Sequence, residues 1–124
     1  MSNFNGCPFC SEDDSIIKSE LAYARFDKFP VNPGHVLVIP RRHVSSFFET
    51  SQAERQEMLN FVDEMKLILD RRYAPDGYNI GVNIGETSGQ TVMHVHVHLI
   101  PRYKGDIPNP RGGVRGVIPS KQSY

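Results

Sequence analysis

Three histidines alternate with apolar residues in the last third of the chain. His94, His96 and His98 are each followed by a valine or a leucine. In a β-strand the side-chain period is two, so the three imidazoles would share one face at intervals of about 6.6 Å. Imidazole is neutral and nucleophilic near pH 7, and it is also the commonest metal ligand. The pattern therefore indicates chemistry or metal binding, and a polar outer surface is the alternative interpretation.

Two cysteines near the N-terminus form a Cys-x-x-Cys pair, Cys7 and Cys10. Residues 1–6 lack the basic and apolar blocks of a signal peptide, so we expect a cytoplasmic chain without a structural disulfide. A redox dithiol would need a helix that begins at the first cysteine, which the acidic residues that follow do not favour. The pair supplies two of the four ligands of a closed zinc site. Zinc binding and burial as small core residues both remain open.

The composition limits the classes of partner. The 124 residues include fourteen basic and fourteen acidic side chains, so the formal net charge is zero. Neutrality removes the electrostatic case for a general nucleic-acid binder or a basic membrane-surface protein. No run of 18 apolar residues is present, so no membrane span is predicted. We expect a single domain over residues 1–124, with neither a nucleic-acid polymer nor a membrane as partner.

The hydrophobic pattern predicts one long helix among short strands. Ser51 and Glu54 form a capping-box pattern, and the helical pattern behind them continues to about Tyr73. The expected buried face of this helix contains Met58, Val62, Met65 and Leu69. The segments with strand character are 15–26 (two short strands), 35–40, 78–84 and 92–100. This order predicts an α+β fold with a mainly antiparallel sheet of about five strands and one main helix.

These motifs together resemble the histidine triad (HIT) family. Residues 94–100 match the signature His-φ-His-φ-His-φ-φ, in which φ is an apolar residue. Residues 33–40 followed by His43 resemble the family's upstream block, and residues 89–92 resemble the lead-in to the triad. The resemblance extends over about residues 7–102. It implies a HIT-like fold, an enzyme that hydrolyses or transfers nucleoside phosphates, and a homodimer in which two sheets join into one.

The resemblance also implies roles for individual residues. His96 would attack the α-phosphorus of a nucleotide, and water would then hydrolyse the resulting phosphoramidate. The second nitrogen of His96 must donate to a backbone carbonyl or a similar acceptor, so that the attacking tautomer is fixed. His98 would contact phosphate oxygens and assist the leaving group, and His35 would join the same cluster. The implied nucleotide-binding residues are Asp27 at the ribose, Leu37 at the base, and Asn83, Gln90 and Thr91 near the phosphates, although turn chemistry alone would explain the four polar ones.

The remaining histidines complete a metal ligand set in this resemblance. Some bacterial members of the family bind zinc with two cysteines and two histidines, which here would be Cys7, Cys10, His43 and His94. Four protein ligands leave no coordination position open for water, so this zinc ion would be structural. A divalent cation bound together with the substrate phosphates is also compatible with the chemistry.

The tail and the substrate leave several alternatives open. Residues 102–124 are rich in Pro, Gly and Arg and resemble an extension of prokaryotic members related to diadenosine-polyphosphate hydrolases. Arg111 and Arg115 would either clamp distal phosphates or belong to a tail packed on the dimer partner. The leading hypothesis is hydrolysis of dinucleoside polyphosphates through nucleotidyl-His96. A nucleoside phosphoramidase, a phosphorylase and a non-catalytic nucleotide-binding or scaffold protein are the alternatives.

Overall fold

The computed structural model describes residues 6–124, and in that range one five-stranded sheet packs against a long helix. Each pair of neighbouring strands is antiparallel, and the spatial order is β1-β2-β3-β5-β4. The predicted α+β fold with one main helix is confirmed. The strands are β1 (Ile17–Lys18), β2 (Ala22–Phe26), β3 (Val36–Pro40), β4 (Gly77–Val82) and β5 (Val97–Arg102).

The helix α1 (Gln52–Tyr73) begins at the predicted capping box. The Ser51 hydroxyl accepts a hydrogen bond from the Glu54 N–H, and the Glu54 carboxylate accepts one from the Ser51 N–H. Arg42 donates two further hydrogen bonds to this buried carboxylate, which hold the pKa of Glu54 below its ordinary value. The helix ends before Ala74, whose φ of +48° cannot continue it. No helix in residues 6–124 is long and apolar enough to cross a membrane.

The core lies between α1 and one face of the sheet. The predicted helix face is confirmed, and Phe61 adds to it. Val97 and Leu99 of β5 point into this core, since the side chains of a strand alternate between the two faces. The imidazole of His98, between them, therefore faces away from the helix. Residues of α1, β2, β3 and β5 in this cluster include Met58, Phe61, Val62, Met65, Leu69, Ala22, Ala24, Val36, Val38, Val97 and Leu99.

The prediction of a strand over 92–100 is wrong at its beginning. Strand β5 starts at Val97 and continues to Arg102, so His94 and His96 lie in the segment that leads into it. The Val95 N–H donates to the Val44 carbonyl over 2.8 Å, beyond the end of β3. This bond guides residues 92–96 past the end of β3 and towards the N-terminal cysteines. Long-range hydrogen bonds thus override the local alternation that predicts a longer strand.

The tail after β5 contains only short turns of 3₁₀ helix, at Gly113–Val117 and Pro119–Lys121. Arg115 donates to the backbone carbonyls of Lys121 and Gln122. The guanidinium groups of Arg111 and Arg115 lie over the ring of Tyr124, at 4.9 and 4.8 Å from its centroid. Both arginines thus make contacts within the tail, and neither lines the cavities beside the histidines. These contacts favour a packed tail over a phosphate clamp.

Candidate active site and metal centre

The floor of the candidate site is a row of residues that crosses the sheet on the face opposite α1. The register aligns Arg25 of β2 with Leu37 of β3, Leu37 with His98 of β5, and His98 with Gly81 of β4. Cross-strand partners point to the same face of a sheet, so their side chains form one surface. A cavity of about 330 Å³ lies over this row. Its other lining residues include Pro8, Phe9, Asp27, Lys28, Phe29, Asn83, Gln90, Thr91 and His96.

The orientation and protonation of His96 are determined by a backbone bond. Its Nδ1 lies 2.9 Å from the carbonyl oxygen of His94. A carbonyl oxygen only accepts hydrogen bonds, so Nδ1 carries the proton and Nε2 keeps its lone pair. Burial lowers the pKa of His96 below the ordinary histidine value, so the ring is neutral at pH 7. His96 therefore has the fixed tautomer that a nucleophilic imidazole needs.

A second chain of hydrogen bonds sets the tautomer of His98. The Val31 N–H donates to Nδ1 of His35 over 3.0 Å, so the proton of His35 is on Nε2. That Nε2–H donates to Nδ1 of His98 over 2.9 Å, so the proton of His98 is in turn on Nε2. The two catalytic candidates are therefore complementary, since His96 offers a lone pair and His98 offers an N–H donor.

The group Asp27, His35 and His98 could in principle hold a metal, because its ligand atoms lie within 4.8 Å of one another. The hydrogen bond from Val31 opposes this use. Nδ1 of His35 already accepts the backbone N–H, so a metal on Nε2 would require loss of the only ring proton. We therefore interpret this group as a hydrogen-bond chain. Asp27 supports it, with Oδ2 lying 3.5 Å from Nε2 of His35.

All five predicted nucleotide-binding residues line the cavity. Asp27, Leu37, Asn83 and Thr91 all do so. Gln90 also borders it, but its amide is engaged elsewhere. Its oxygen accepts from the Gly85 N–H, and its nitrogen donates to the carbonyls of Ser45 and Val92. The side chain is 3% exposed, so Gln90 braces the loop before the triad and does not offer its amide to a phosphate.

The two cysteines meet two histidines at the end of the site. Ligand atoms of Cys7, Cys10, His43 and His94 all lie within 4.8 Å of one another, which makes the cluster a possible metal site. Nδ1 of His94 lies 3.5 Å from Sγ of Cys7 and 3.6 Å from Sγ of Cys10. Nδ1 of His43 lies 3.2 Å from Sγ of Cys10. In tetrahedral zinc sites, bond lengths of about 2.0–2.3 Å place neighbouring ligand atoms about 3.3–3.8 Å apart.

The surroundings of His94 also fit a metal ligand. Its Nε2 lies 2.7 Å from the Pro40 carbonyl, so Nε2 carries the proton and Nδ1 presents a lone pair to the cysteines. Metal-bound histidines characteristically donate their second N–H to such an acceptor. His94 is fully buried. Two thiolates and two imidazoles are the donor set that zinc prefers, and the residues present fit that ion.

Phe9 and Arg25 are two of the cavity residues that were not predicted from the sequence. Phe9 lies between the cysteines, and its ring packs edge-on against His96 with a centroid distance of 4.7 Å. The Tyr23 hydroxyl donates to the Phe9 carbonyl over 2.6 Å and fixes this part of the chain. Arg25 is the other residue, and its guanidinium lies 5.7 Å from the Phe9 centroid. The available signals were an aromatic residue inside the cysteine pair and a charge within the apolar strand Ala22–Phe26.

A second cavity of about 420 Å³ lies on the other side of His98. His98 and Asn83 border both cavities, so the two cavities are neighbours. The far wall of the second cavity comes from the tail, through Val114 and Val117. Its other side is formed by β4 and β5. The catalytic candidates therefore lie between two hollows large enough for ligand groups.

The comparisons with known proteins agree with this geometry. The model of the HIT domain matches residues 10–105. The chain belongs to the histidine triad family. This HIT chain is 32% identical over 106 residues to the AP-4-A phosphorylase of Mycobacterium tuberculosis, a match that covers 83% of the chain and 54% of the relative. It is 37% identical over 89 residues to the asymmetrical bis(5'-nucleosyl)-tetraphosphatase of Schizosaccharomyces pombe, covering 72% of the chain and 49% of the relative. It thus spans about half the length of these relatives.

Solved structures of HIT proteins are similar to this chain as well. A HIT family protein from Bacillus anthracis superposes with a TM-score of 0.76 at 32% identity, over 82% of this chain and 77% of that one. A zinc-bound histidine triad family protein from Mycobacterium smegmatis superposes with a TM-score of 0.74 at 29% identity, over 84% and 80%. The HIT fold expected from the sequence is confirmed.

The buried imidazoles should make the stability of this HIT chain depend on pH. Burial, together with the neighbouring His96 and His35, lowers the pKa of His98 to about 4. In the unfolded chain the pKa of His98 is near 6.5, so as the pH falls the unfolded state binds a proton before the folded state does. The contribution of His98 to the free energy of unfolding is therefore fully present above about pH 6.5 and is lost as the pH falls towards 4. We expect His98→Asn to reduce the loss of unfolding free energy between pH 7 and pH 5, measured by urea denaturation. An equal loss in both proteins would contradict this assignment.

Proposed function

We propose that the protein is a nucleotidyl hydrolase that cleaves dinucleoside polyphosphates at an α-phosphate through a covalent nucleotidyl-His96 intermediate. The observation that carries this proposal is the tautomer of His96. Its Nδ1–H is bound to the His94 carbonyl, and its Nε2 lone pair is left for attack beside a cavity of about 330 Å³. The names of two relatives, a phosphorylase and a tetraphosphatase of dinucleoside polyphosphates, support the same substrate class.

The chemistry has two steps. In the first, Nε2 of His96 forms a bond to the α-phosphorus and the bond to the leaving phosphate oxygen breaks. The leaving phosphate departs as an anion, because the second pKa of a phosphate ester is near 6. In the second, water displaces the imidazole and releases a nucleoside monophosphate. The Nε2–H of His98 donates to the phosphate oxygens in both steps, where charge accumulates.

The two cavities beside His98 support a substrate with two bulky ends. One nucleoside would occupy the cavity over Leu37, with its ribose hydroxyls at Asp27 and its phosphates near Asn83 and Thr91. The leaving half would extend past His98 towards the second cavity, which is lined mainly by apolar side chains and backbone. Positioning of the phosphate chain between the two sites is the main contribution that phosphoryl transfer requires from a protein.

A phosphorylase is the second candidate, because one relative is named AP-4-A phosphorylase. It differs only in the second step, where inorganic phosphate replaces water. Turnover of a dinucleoside tetraphosphate should be measured with and without inorganic phosphate. Turnover of an adenosine phosphoramidate should be measured as a comparison. A hydrolase releases a nucleoside monophosphate in both buffers, whereas a phosphorylase releases a nucleoside diphosphate and requires phosphate. Faster cleavage of the phosphoramidate would contradict the proposed substrate class.

The nucleophile assignment predicts a separation of binding from turnover. His96→Ala should abolish cleavage of a dinucleoside tetraphosphate, because it removes the Nε2 lone pair that attacks the phosphorus, while nucleotide affinity stays near that of the parent chain. Cleavage is measured by chromatography and affinity by calorimetry. Lys66→Ala, on the exposed side of α1, is the control and should retain activity. A His96→Ala protein that turns over at the parent rate would show that His96 is not the nucleophile.

We also propose that Cys7, Cys10, His43 and His94 hold a structural zinc ion. The distances and the donor set of the cluster support this, as does the zinc-bound relative from Mycobacterium smegmatis. Zinc with four protein ligands would contribute stability and would leave the phosphate chemistry to the imidazoles. Its removal would also release Phe9, which lies between the two cysteine ligands and packs on His96.

The zinc proposal predicts about one equivalent of metal in the purified protein. Chelation should lower the midpoint of thermal unfolding, because the metal binds the folded chain and loses its ligand set on unfolding. Cys10→Ser should reduce both the metal content and the midpoint, measured by elemental analysis and calorimetry. Ser123→Ala, in the exposed tail, serves as the control. A zinc content below about a tenth of an equivalent, with no effect of chelation, would refute the proposal.

We further propose that two copies pair into a homodimer through the edge of β4. Within residues 6–124, β4 pairs only with β5, so its other edge has no strand partner. Ile80 on this edge is 52% exposed, and Leu67 of α1 is 60% exposed. A strand edge without a strand partner, beside exposed apolar side chains, favours association with a second sheet. Ile80→Lys should shift the protein from dimer to monomer in sedimentation, whereas Phe48→Lys, at an exposed apolar residue before α1, should not. A parent chain that sediments as a monomer would contradict this.

A further inference from the structure

Arg25 buries a guanidinium group in the wall of the cavity over Leu37. The residue is 4% exposed, and its Nε is a buried polar atom without a hydrogen-bond partner in the described chain. The guanidinium also interacts with the Tyr23 hydroxyl, and two further contacts of its other nitrogens are long. Nη1 lies 3.5 Å from the Pro8 carbonyl, and Nη2 lies 3.5 Å from a carboxylate oxygen of Asp14, which is itself exposed. A buried N–H donor without an acceptor is unfavourable, so the guanidinium of this cavity-lining residue is incompletely hydrogen-bonded within the chain.

The register of the sheet places Arg25 at the end of the cavity away from the phosphate chemistry. Arg25, Leu37 and His98 are aligned on three adjacent strands, so Arg25 and His98 are separated by about 10 Å across the sheet. A nucleotide with its phosphate at His98 and its ribose near Asp27 would lay its base over Leu37 and direct the outer edge of the base towards Arg25. The guanidinium is held in place by the Phe9 ring, 5.7 Å away.

The chemistry of a guanidinium group restricts which base edge it can recognise. Arginine offers only N–H donors, arranged in a planar fork. Guanine presents two adjacent acceptors, O6 and N7, which this fork can bind together. Adenine places its N6 amino donor beside N7, so one donor of the fork would face another donor. A buried arginine at the base edge therefore favours a 6-oxopurine over adenine.

We propose that Arg25 is a specificity-determining residue that makes this site prefer guanine over adenine nucleotides. The inference rests on the proposed function, because both require the cavity to bind a nucleotide with its phosphate at His98. It does not depend on the covalent step, so equilibrium binding tests it separately from catalysis. The phenyl ring of Phe9 and the side chain of Leu37 contact either purine, and Arg25 supplies the discrimination.

The test compares GMP and AMP binding by calorimetry in the parent chain and in two variants. The parent should bind GMP about tenfold more tightly than AMP, or better, as expected for one bidentate arginine contact. Arg25→Met removes the donors at similar length and should abolish this preference by weakening GMP, while AMP affinity changes less than about twofold. Arg25→Lys keeps the charge without the planar fork and should also lose the preference. Retained AMP binding reports that each variant is folded.

Lys18→Met removes one positive charge from β1, where Lys18 pairs with Glu12 outside the cavity. It should leave the ratio of the two affinities unchanged. Equal affinities in the parent, or an unchanged ratio in Arg25→Met, would overturn the role of Arg25. A guanine preference without turnover of guanosine substrates would sustain this role and reject the proposed hydrolase. Failure of the parent to bind either nucleotide would reject both.

Discussion

The bond between the Nδ1–H of His96 and the His94 carbonyl is the interaction on which the rest of the site depends. It keeps the Nε2 lone pair of His96 available, and it exists only while residue 94 is held in place. That residue is fixed at both ring nitrogens, by the Pro40 carbonyl and by the two cysteines. The side chain that faces the cysteines and the carbonyl that orients the imidazole of His96 thus belong to the same residue.

This arrangement joins the candidate metal centre to the candidate active site mechanically. The Cys-x-x-Cys segment provides two ligand atoms on one side and the ring of Phe9 against His96 on the other. A filled metal site would hold Phe9 and His94 together and keep His96 in its tautomer without taking part in bond cleavage. On the other side of His96, the hydrogen bonds from Val31 through His35 to His98 fix the proton of His98 on Nε2. Rigid backbone groups therefore prepare both imidazoles before a substrate arrives.

Local signals predicted the elements that local bonds create. The sequence predicted the helix from the capping box at Ser51 to Tyr73, most of the strand positions and the histidine motif at residues 94–98. These features were evident because capping and periodicity act within a few residues. The start of β5 was wrong because bonds to Val44 and Pro40, some fifty residues away, compete with the strand. The engagement of the Gln90 amide was not predicted because one of its partners, the Ser45 carbonyl, becomes a neighbour only in the fold, and Phe9 and Arg25 were missed for the same reason.

The tautomer of His96 is the property that tests this account most directly. Long-range correlation of ring protons with the imidazole nitrogens in ¹⁵N-labelled protein distinguishes a protonated from an unprotonated nitrogen. We predict that at pH 7 His96 is protonated at Nδ1 and unprotonated at Nε2, whereas His98 is protonated at Nε2. A spectrum in which Nε2 of His96 carries the proton would contradict the account, because the nitrogen that we propose as the nucleophile would then have no lone pair with which to attack.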